Sequence, residues 1–396
     1  MDVRQAKPEE LSSGIAPVSH YFGSVPTEEN VRRFARVLRP ERMHLAEEDG
    51  QIVGGASAFE FQFTVPGAIV PAAGVTIVGV LPTHTRRGIL TALMRAQLDD
   101  VHERGEPVAC LWASEETIYG RYGYGMAALC GEAEISRVYG GFRKPVEHGG
   151  SFRLLSFEEA LNAIPPVYAR VAVETPGMFA RPQEWWEARA LYDSESRRDG
   201  AGELVRVLLE RDGEGIAYAI YRLKMEFEAG SSSGEVRVIE AMGVSPDATA
   251  AIWRYLLDVD WMDRVQAELL PVDHPLFLLL EHPRRMRFRI GDSLWVRLVD
   301  VGAALAARQL EGDAVLEVAD AFCPWNDACY TLDGAKTMED AHLRLDVSDL
   351  ASVYLGGFTF GQLQRAGRVE ELSAGAVARA DAAFRTDRAP WCPEIF

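Results

Sequence analysis

A basic turn between an apolar strand and a helix carries the strongest chemical signal in the sequence. Residues 78–90 are Val-Gly-Val-Leu-Pro-Thr-His-Thr-Arg-Arg-Gly-Ile-Leu, so a strand stops at Pro82, and Arg86, Arg87 and Gly88 then open a helix. The first backbone N–H groups of a helix have no intrahelical partner, and with the helix dipole they favour an anion. Basic side chains at this end oppose the dipole unless an anionic partner is bound. The turn therefore predicts a phosphate site, and it lacks the glycine patterns of a Walker loop or a Rossmann turn.

A segment rich in tyrosine and glycine follows the next apolar strand. Val108–Ala113 is predicted to be a buried strand, and residues 118–125 are Ile-Tyr-Gly-Arg-Tyr-Gly-Tyr-Gly. Tyrosine rings are large apolar groups, and we expect two of these three to pack in a core between turn glycines.

The sequence finishes on apolar residues. Pro390 and Pro393 prevent a continuous helix over residues 388–396. Frayed termini are usually polar, whereas this one finishes with Ile395 and Phe396. We expect this end of the chain to dock against the protein.

The elements that must position these residues alternate between strands and helices. A helix is predicted over Thr27–Leu38, strands over Val53–Val65 and Gly74–Val80, and an amphipathic helix over Ile89–Arg104. Asp49-Gly50 precedes the first of these strands as a hairpin turn. The pattern favours an α+β fold.

The same order of elements returns 163 positions later, at Asp212-Gly213. Strand patterns over Ile216–Phe227 and Glu235–Met242 follow it, and residues 243–246 (Gly-Val-Ser-Pro) match residues 79–82 (Gly-Val-Leu-Pro). Residues 249–252 are Thr-Ala-Ala-Ile, where the first copy has the basic turn. We infer two copies of one unit, of which only the first carries the phosphate site.

The last hundred residues have a different pattern. They alternate between short apolar strands and short helices, which are predicted at Asp292–Leu298 (strand), Val301–Arg308 (helix), Ala314–Val318 (strand), Ala341–Val347 (strand), Val347–Leu355 (helix) and Ala374–Phe384 (helix).

Composition and charge exclude several classes of function. The 396 residues include 41 Lys and Arg against 59 Asp and Glu, a net charge of −18, so nucleic acid is not the expected partner. An anionic surface attracts cations instead. No run is long enough to span a membrane and no signal peptide is evident, so we expect a cytoplasmic protein. The five cysteines, Cys323 and Cys329 among them, have no zinc-ligand spacing, so we expect reduced thiols and no metal.

Together these segments resemble the GNAT N-acetyltransferases, and most closely the branch of enhanced-intracellular-survival (Eis) acetyltransferases. The resemblance extends in order over nearly the whole chain, at residues 80–90, 113–115, 118–125, 176–177, 181–183, 294–297 and 354–357. It implies a GNAT domain with an acetyl-CoA site over residues 1–148 and a degenerate GNAT-like domain over 149–290. A sterol-carrier-protein-like domain would follow over 291–396, with a C-terminal tail that reaches the active site.

The resemblance also implies the reaction. The family transfers acetyl from acetyl-CoA, without a metal, to primary amines, characteristically those of aminoglycosides and also lysine side chains, and it forms hexamers. The chain would accordingly bind a cationic amine and would form a homo-oligomer.

Individual roles follow by the same resemblance. Tyr119 matches the family's general acid, and the α-carboxylate of Phe396 matches its general base. The implied cofactor contacts are the strand-edge backbone of Val78, Gly79 and Val80, the pyrophosphate cradle of Arg86, Arg87, Gly88, Ile89, Leu90 and Thr91, and the cleft residues Ser114 and Glu115. Trp112 stands where this branch often has His beside the amine pocket, and Glu394 is a further candidate for contact with the cationic substrate.

The chemistry agrees with such a pair of catalytic groups. An alkyl ammonium has a pKa of ~10.4, so a base must remove its proton before it can attack a thioester. A thiolate leaving group has a reference pKa of ~8.5 and a tyrosine of ~10, so a lowered pKa of Tyr119 would ease the proton transfer.

Two alternatives remain open at this point. Trp112 leaves room for another amine, such as a biosynthetic metabolite, a peptide or a protein lysine. A non-catalytic protein that binds acetyl-CoA or lipid is a different class, and the retained Arg86, Gly88 and Tyr119 argue against it.

Overall fold

The structure, a computed structural model, describes residues 1–396 apart from the side chains of Ser196 and Ser231. The chain forms two compact units. The first unit comprises residues 1–128, 293–390 and 395–396, and the second comprises residues 129–292 and 391–394. Within the described residues, no helix is both long and apolar enough to cross a membrane.

The first 128 residues supply six strands and four helices to the first unit. In chain order these are β1 (Asp2–Gln5), α1 (Leu11–Tyr21), α2 (Glu28–Phe34), β2 (Met43–Glu48), β3 (Gln51–Val65), β4 (Ala68–Val80), α3 (Ile89–Glu103), β5 (Val108–Trp112), α4 (Glu116–Tyr119) and β6 (Gly125–Met126). The strands, the Asp49-Gly50 turn and the amphipathic helix predicted between residues 49 and 113 are confirmed, except that β4 begins at Ala68 and not at the predicted Gly74.

Helix α1 was not predicted, and its residues explain why. Ser12, Ser13 and Gly14 have low helix propensity, and Pro17 lies inside the helix. The helix packs closely on the sheet, since a Cβ atom at Gly79 would lie 2.8 Å from the backbone nitrogen of Val18. Tertiary packing therefore overrides the weak local preference.

Residues 129–292 form the second unit together with residues 391–394. In chain order their elements are β7 (Leu129–Ser136), β8 (Ser151–Leu154), α5 (Phe157–Ala172), α6 (Gln183–Trp185), β9 (Val205–Arg211), β10 (Glu214–Lys224), β11 (Phe227–Glu228), β12 (Ser231–Ser232), β13 (Gly234–Gly243), α7 (Pro246–Leu257), β14 (Met262–Pro271), α8 (Leu276–Leu279) and β15 (Arg289–Asp292). Seven strands form one sheet in the order β15-β7-β14-β13-β10-β9-β8. This sheet begins at β7, ahead of the expected domain boundary at residue 148.

The C-terminal part returns to the first unit. Its elements are β16 (Leu294–Leu298), α9 (Val301–Arg308), β17 (Val315–Ala319), β18 (Ala328–Thr331), β19 (Lys336–Thr337), β20 (Leu343–Asp346), α10 (Val347–Tyr354), α11 (Phe360–Arg365), β21 (Val369–Glu371) and α12 (Ala376–Phe384). Strands β17 to β21 form a five-stranded sheet in the order β19-β18-β17-β20-β21.

Strand β16 joins the C-terminal part to the N-terminal sheet. The first sheet has the order β1-β2-β3-β4-β5-β16-β6, so β16 lies between β5 and β6. Within this sheet only β4 and β5 run parallel to each other, and the mixed sheets with packed helices confirm the α+β class.

Candidate active site

Strands β4 and β5 part in the middle of the first sheet. Parallel pairing joins Ala72–Gly74 to Val108–Cys110 and stops there, although β4 continues to Val80 and β5 to Trp112. A β-bulge lies just beyond this point, where Ile77 has φ of 55° and the register against β3 shifts. Since a bulge bends its strand, it provides a physical cause for the separation. Val78, Gly79 and Val80 thus lie on the diverging end of β4.

The predicted phosphate turn lies at the start of α3, directly after β4. Gly88 is the N-cap residue with φ of 83°, no side chain caps this end, and the first turn contains no acidic residue. A Cβ atom at Gly88 would have no neighbour within 4 Å, and the first helical bond runs from Ala92 N–H to the Gly88 carbonyl at 3.0 Å. The N–H groups of Ile89, Leu90 and Thr91 precede that bond, so this end can receive an anion.

The two arginines of the turn differ in their surroundings. Arg87 donates to the Glu48 carboxylate, with Nη2 2.7 Å from Oε1, and His84 lies 3.5 Å from the other oxygen of Glu48. Arg86 is exposed and has φ of 61°. Arg87 therefore already has an acidic partner that orients the turn.

Tyr119 ends the short helix α4 and lies at the edge of a hydrophobic cluster. Its side chain is 6% exposed, and its ring meets the ring of Tyr124 edge-on at 5.9 Å. Burial raises the pKa of Tyr119 to about 12, and a hydrogen bond with Ser114 only partly opposes this effect. The lowered pKa considered above is not found, because the phenolate would lose its hydration. Tyr119 is protonated at neutral pH and can donate a hydrogen bond.

The other two tyrosines of this segment pack in the core, as predicted. Tyr122 and Tyr124 are 2% and 1% exposed. Tyr122 makes one polar contact as well, since its hydroxyl lies 3.3 Å from Oγ1 of Thr91 in the first turn of α3.

The aromatic ring of Phe396 reaches the same region of the first unit. It meets the ring of Phe61 on β3 edge-on, with centroids 4.9 Å apart. The Phe61 ring in turn covers Gly74, where a Cβ atom would overlap it. Gly74 is the last residue of β4 that pairs with β5. The C-terminal residue thus lies one aromatic ring away from the point where the two strands part.

Trp112, Ser114 and Glu115 lie at and just beyond the end of β5. Ser114 and Glu115 are exposed, and Glu115 is the N-cap residue of α4. The indole nitrogen of Trp112 is buried without a hydrogen-bond partner among the described residues. A buried N–H without an acceptor is costly, so a bound group that accepts a hydrogen bond would be stabilised there.

Glu394 lies in the second unit, in a cluster of opposite charges. One carboxylate oxygen accepts from Trp185 Nε1 at 2.8 Å and lies 3.1 Å from Arg181 Nη2, and the other accepts from Arg189 Nε at 3.1 Å. The two guanidinium groups and the indole N–H outweigh the desolvation of Glu394 and lower the pKa of its carboxyl. Both oxygens are therefore already engaged by this chain's own side chains.

One contact at the site was missed by sequence reasoning. Tyr21, at the end of α1, donates its hydroxyl to the carbonyl of Val80 at 2.8 Å. The helix that carries Tyr21 contains Pro17 and Gly14, so its periodicity gave no usable signal.

Comparison with known proteins places these observations in a family. The chain matches a family model described as an acetyltransferase (GNAT) domain over residues 2–127, a second described in the same words over 177–298, and one described as a sterol carrier protein domain over 301–393. An uncharacterized N-acetyltransferase of Streptomyces avermitilis is 41% identical over 100% of this chain and 99% of that protein.

Two further relatives give a more specific result. The N-acetyltransferase Eis of Mycobacterium tuberculosis is 34% identical over 89% of each chain. The crystal structure of Eis1 from Mycobacterium abscessus is similar with a TM-score of 0.88, at 34% identity over 100% of both chains. The parted strands, the basic helix start and the order of the three domains agree with these matches, and the chain belongs to the Eis branch of the GNAT N-acetyltransferases.

Proposed function

We propose that this acyltransferase moves the acetyl group of acetyl-CoA to primary amines of cationic substrates, namely aminoglycosides, at one or more of their amino groups. The observation that carries this proposal is the position of Phe396 against Phe61 and Gly74, where β4 and β5 part. It brings the last residue of the chain to the strand that would hold the acetyl group.

The proposed cofactor contacts follow from the same geometry. Acetyl-CoA would place its pyrophosphate at the start of α3, on the backbone of Gly88 to Thr91 and on Arg86, with Arg87 held by Glu48. The pantetheine arm would follow the diverging end of β4, at Val78, Gly79 and Val80, with Ser114 and Glu115 on the other side. No metal takes part in this proposal.

The reaction needs one base and one acid. The carboxylate of Phe396 would take the proton of the substrate ammonium, directly or through a water molecule. The amine then attacks the thioester carbonyl and a C–N bond forms. The C–S bond breaks, and the second proton of the nitrogen passes to the departing thiolate, directly or by way of Tyr119, so that the amide and the free thiol result. Tyr119 would donate a hydrogen bond or its proton to the departing thiolate, and its pKa of about 12 favours the hydrogen bond over complete transfer.

The charge of the chain supports a cationic substrate. A net charge of −18 attracts polyamines and lowers the cost of bringing several ammonium groups into one cleft. Glu394 is not one of the proposed substrate contacts, because Arg181, Arg189 and Trp185 engage its carboxylate.

Thiol release from acetyl-CoA in the presence of a panel of amines tests the proposal. The panel should contain an aminoglycoside, a linear polyamine, a lysine peptide and a monoamine, and product masses should count the acetyl groups added. We expect release with the aminoglycoside, with more than one acetyl group on the product. Thiol release that does not increase when an amine is added, or no thiol release with any amine, would contradict the proposed function.

A second candidate is a narrower amine substrate that also accepts a hydrogen bond. The buried and unpartnered indole N–H of Trp112 favours it. Preference in the panel for an amine with a nearby carbonyl or hydroxyl group, lost in Trp112→Phe, would support this candidate over the aminoglycoside.

The family resemblance further suggests assembly as a hexamer. Light scattering of the purified protein tests this proposal, and a mass of 43.7 kDa, that of one chain, would contradict it.

A further inference from the structure

A segment of the sterol-carrier-like part, Asp320–Asn326, lies along helix α3 of the first unit. At the N-terminal half of α3, Arg95 places its guanidinium over the ring of Phe322 at 3.8 Å and donates to the Phe322 carbonyl. At the other end of the helix, His102 stacks on Trp325 with ring centroids 4.5 Å apart. Thr91 and Arg95 are about one helical turn apart, and Arg95 and His102 are about two turns apart. These residues therefore lie on one face of α3, and this face is turned toward the segment.

The segment is itself held rigidly. Asp320 forms an ion pair with Arg297 of β16, and both side chains are 0% exposed. Asn326 donates to Asp320 at 2.9 Å and to the Val299 carbonyl at 3.1 Å, and Trp325 donates to the same carbonyl at 2.8 Å. A buried ion pair and buried hydrogen bonds of this kind restrict the conformations that a loop can adopt.

The contact reaches the first turn of α3 through one tyrosine. The ring of Phe322 meets the ring of Tyr122 at 5.0 Å, with 63° between their planes. The hydroxyl of Tyr122 lies 3.3 Å from Thr91 Oγ1. Phe322 therefore contacts both Arg95 and Tyr122. Arg95 belongs to α3, the helix whose N-terminus would bind the pyrophosphate, and the Tyr122 hydroxyl lies beside Thr91 in the first turn of that helix.

We infer that Phe322 and Tyr122 are positioning residues for acetyl-CoA, so that the sterol-carrier-like part is a structural component of the cofactor site. The inference rests on the proposed function. Hydrogen bonds from backbone N–H groups to a phosphate need their donors within a few tenths of an ångström of the right place. Support from behind the helix provides that placement without any contact with the cofactor.

Isothermal titration of acetyl-CoA, combined with steady-state kinetics, tests the inference. Tyr122→Phe removes only the hydroxyl near Thr91, and Phe322→Leu removes the ring that fills the space between Arg95 and Tyr122. We expect each variant to weaken acetyl-CoA binding by roughly three- to tenfold. At saturating acetyl-CoA, kcat and the KM for the amine should stay within about twofold of the unchanged protein, because neither residue touches the reacting atoms.

Phe360→Leu is the matched control. Phe360 is in the same C-terminal part and is 0% exposed, and its ring packs on the ring of Phe384 in α12. It should lower the melting temperature at least as much as Phe322→Leu and leave the affinity for acetyl-CoA unchanged. Equal losses of acetyl-CoA affinity in Phe322→Leu and Phe360→Leu would mean that the weaker binding comes from a general loss of stability, and would overturn the inference.

Thr91→Val separates support of the helix from direct contact with the cofactor. We expect Tyr122→Phe combined with Thr91→Val to weaken binding no more than the stronger single variant. A loss in Thr91→Val with none in Tyr122→Phe would show that Thr91 acts without Tyr122, against the inference. Failure of the unchanged protein to bind acetyl-CoA would contradict the proposed function as well, whereas normal binding by Phe322→Leu and Tyr122→Phe would overturn this inference alone.

Discussion

The two GNAT domains begin their corresponding helices in different ways. In the first, residues 82–88 form a short 3-10 turn and a basic loop, and α3 begins only at Ile89, with no side-chain cap. In the second, α7 begins at Pro246, which is the last residue of the Gly-Val-Ser-Pro sequence at the end of β13, so that Ala250 to Ile252 are already helical. The basic turn of one copy corresponds to a turn of helix in the other.

The start of α7 is also complete without a ligand. Ser245 accepts a hydrogen bond from Ala248 N–H, and Asp247 lies in the first turn. Hydrogen bonds from Ser245 and Arg211 lower the pKa of Asp247 to about 2, so the first turn of α7 already carries a negative charge, which the helix dipole favours there and which opposes a second anion. Two related domains can therefore keep one fold while only one of them keeps the helix start that is proposed to bind a phosphate.

The separated strands of the two copies differ in the same way. In the second unit, β13 and β14 pair from Gly234 to Val238, and both strands then continue without pairing to each other. Glu240 on β13 binds Arg181, which also meets Glu394, while Trp391 donates its indole N–H to the Leu269 carbonyl on β14. The chain's own residues 391–394 therefore contact β14 directly, and are linked to β13 through Arg181, beyond the point where the two strands separate.

The largest expected effect comes from extending the chain beyond Phe396. An added residue converts the proposed base into an amide, which cannot accept the ammonium proton, so kcat should fall by ~10²-fold or more. Affinity for acetyl-CoA should not change, and the same tag at the N-terminus should have little effect. Full kcat in an extended protein with an unchanged melting temperature would remove the terminal carboxylate from the mechanism.

Removal of the Tyr119 hydroxyl is expected to be nearly as severe. Tyr119→Phe should lower kcat by ~10²-fold with little change in acetyl-CoA affinity. Tyr124→Phe is the control, because the Tyr124 hydroxyl is buried without a partner among the described residues. Since the pKa of Tyr119 is about 12, its protonated form persists as the pH rises, and its titration should not lower the rate below about pH 10. A larger defect in Tyr124→Phe would mean that the acid is assigned to the wrong ring.

A charge reversal at the two helix starts tests the comparison directly. Arg86→Glu should weaken acetyl-CoA binding by roughly tenfold or more, because it places an anion beside the pyrophosphate. Pro246→Glu adds a negative charge at the exposed first residue of α7 and should leave the affinity unchanged. Equal weakening by both substitutions, measured by titration, would contradict the model of one active copy.

A change in stability, with no effect on the rate, is expected from the charge cluster of the second unit. Glu394→Gln leaves Arg181 and Arg189 without this carboxylate and should cost about 3 kcal/mol of unfolding free energy, measured by urea denaturation. The lowered pKa of Glu394 means that its contribution is present above its ordinary pKa of 4.5 and is lost as the pH falls through the folded value. The difference between the two proteins should therefore shrink in acid, and a constant difference would exclude this carboxylate as its source.

Much of the fold and part of the site could be predicted from local patterns. The helix at Ile89–Glu103, its basic start and the repeated strand-end motif depend on residues a few positions apart, which periodicity and turn chemistry record. Helix α1 escaped prediction because Gly14 and Pro17 weaken its pattern, although packing against Gly79 stabilises it. A lowered pKa of Tyr119 would have eased the proton transfer, but burial of the side chain, which the sequence does not record, raises that pKa instead.

The sequence by itself indicated the two copies, the absence of the basic turn from the second and the candidate cofactor turn, because each depends on neighbouring residues. The choice of Tyr119 as the candidate acid followed only from the family resemblance. Only the tertiary structure decided that Phe396 meets Phe61, that β16 enters the first sheet beside β5, and that Glu394 binds Arg181. These partners are far apart in the chain and are brought together by packing and charge pairing, which leave no periodic signal in the sequence. The physical reason is that local structure depends on backbone preference, whereas the position of an isolated side chain depends on the surface that buries it.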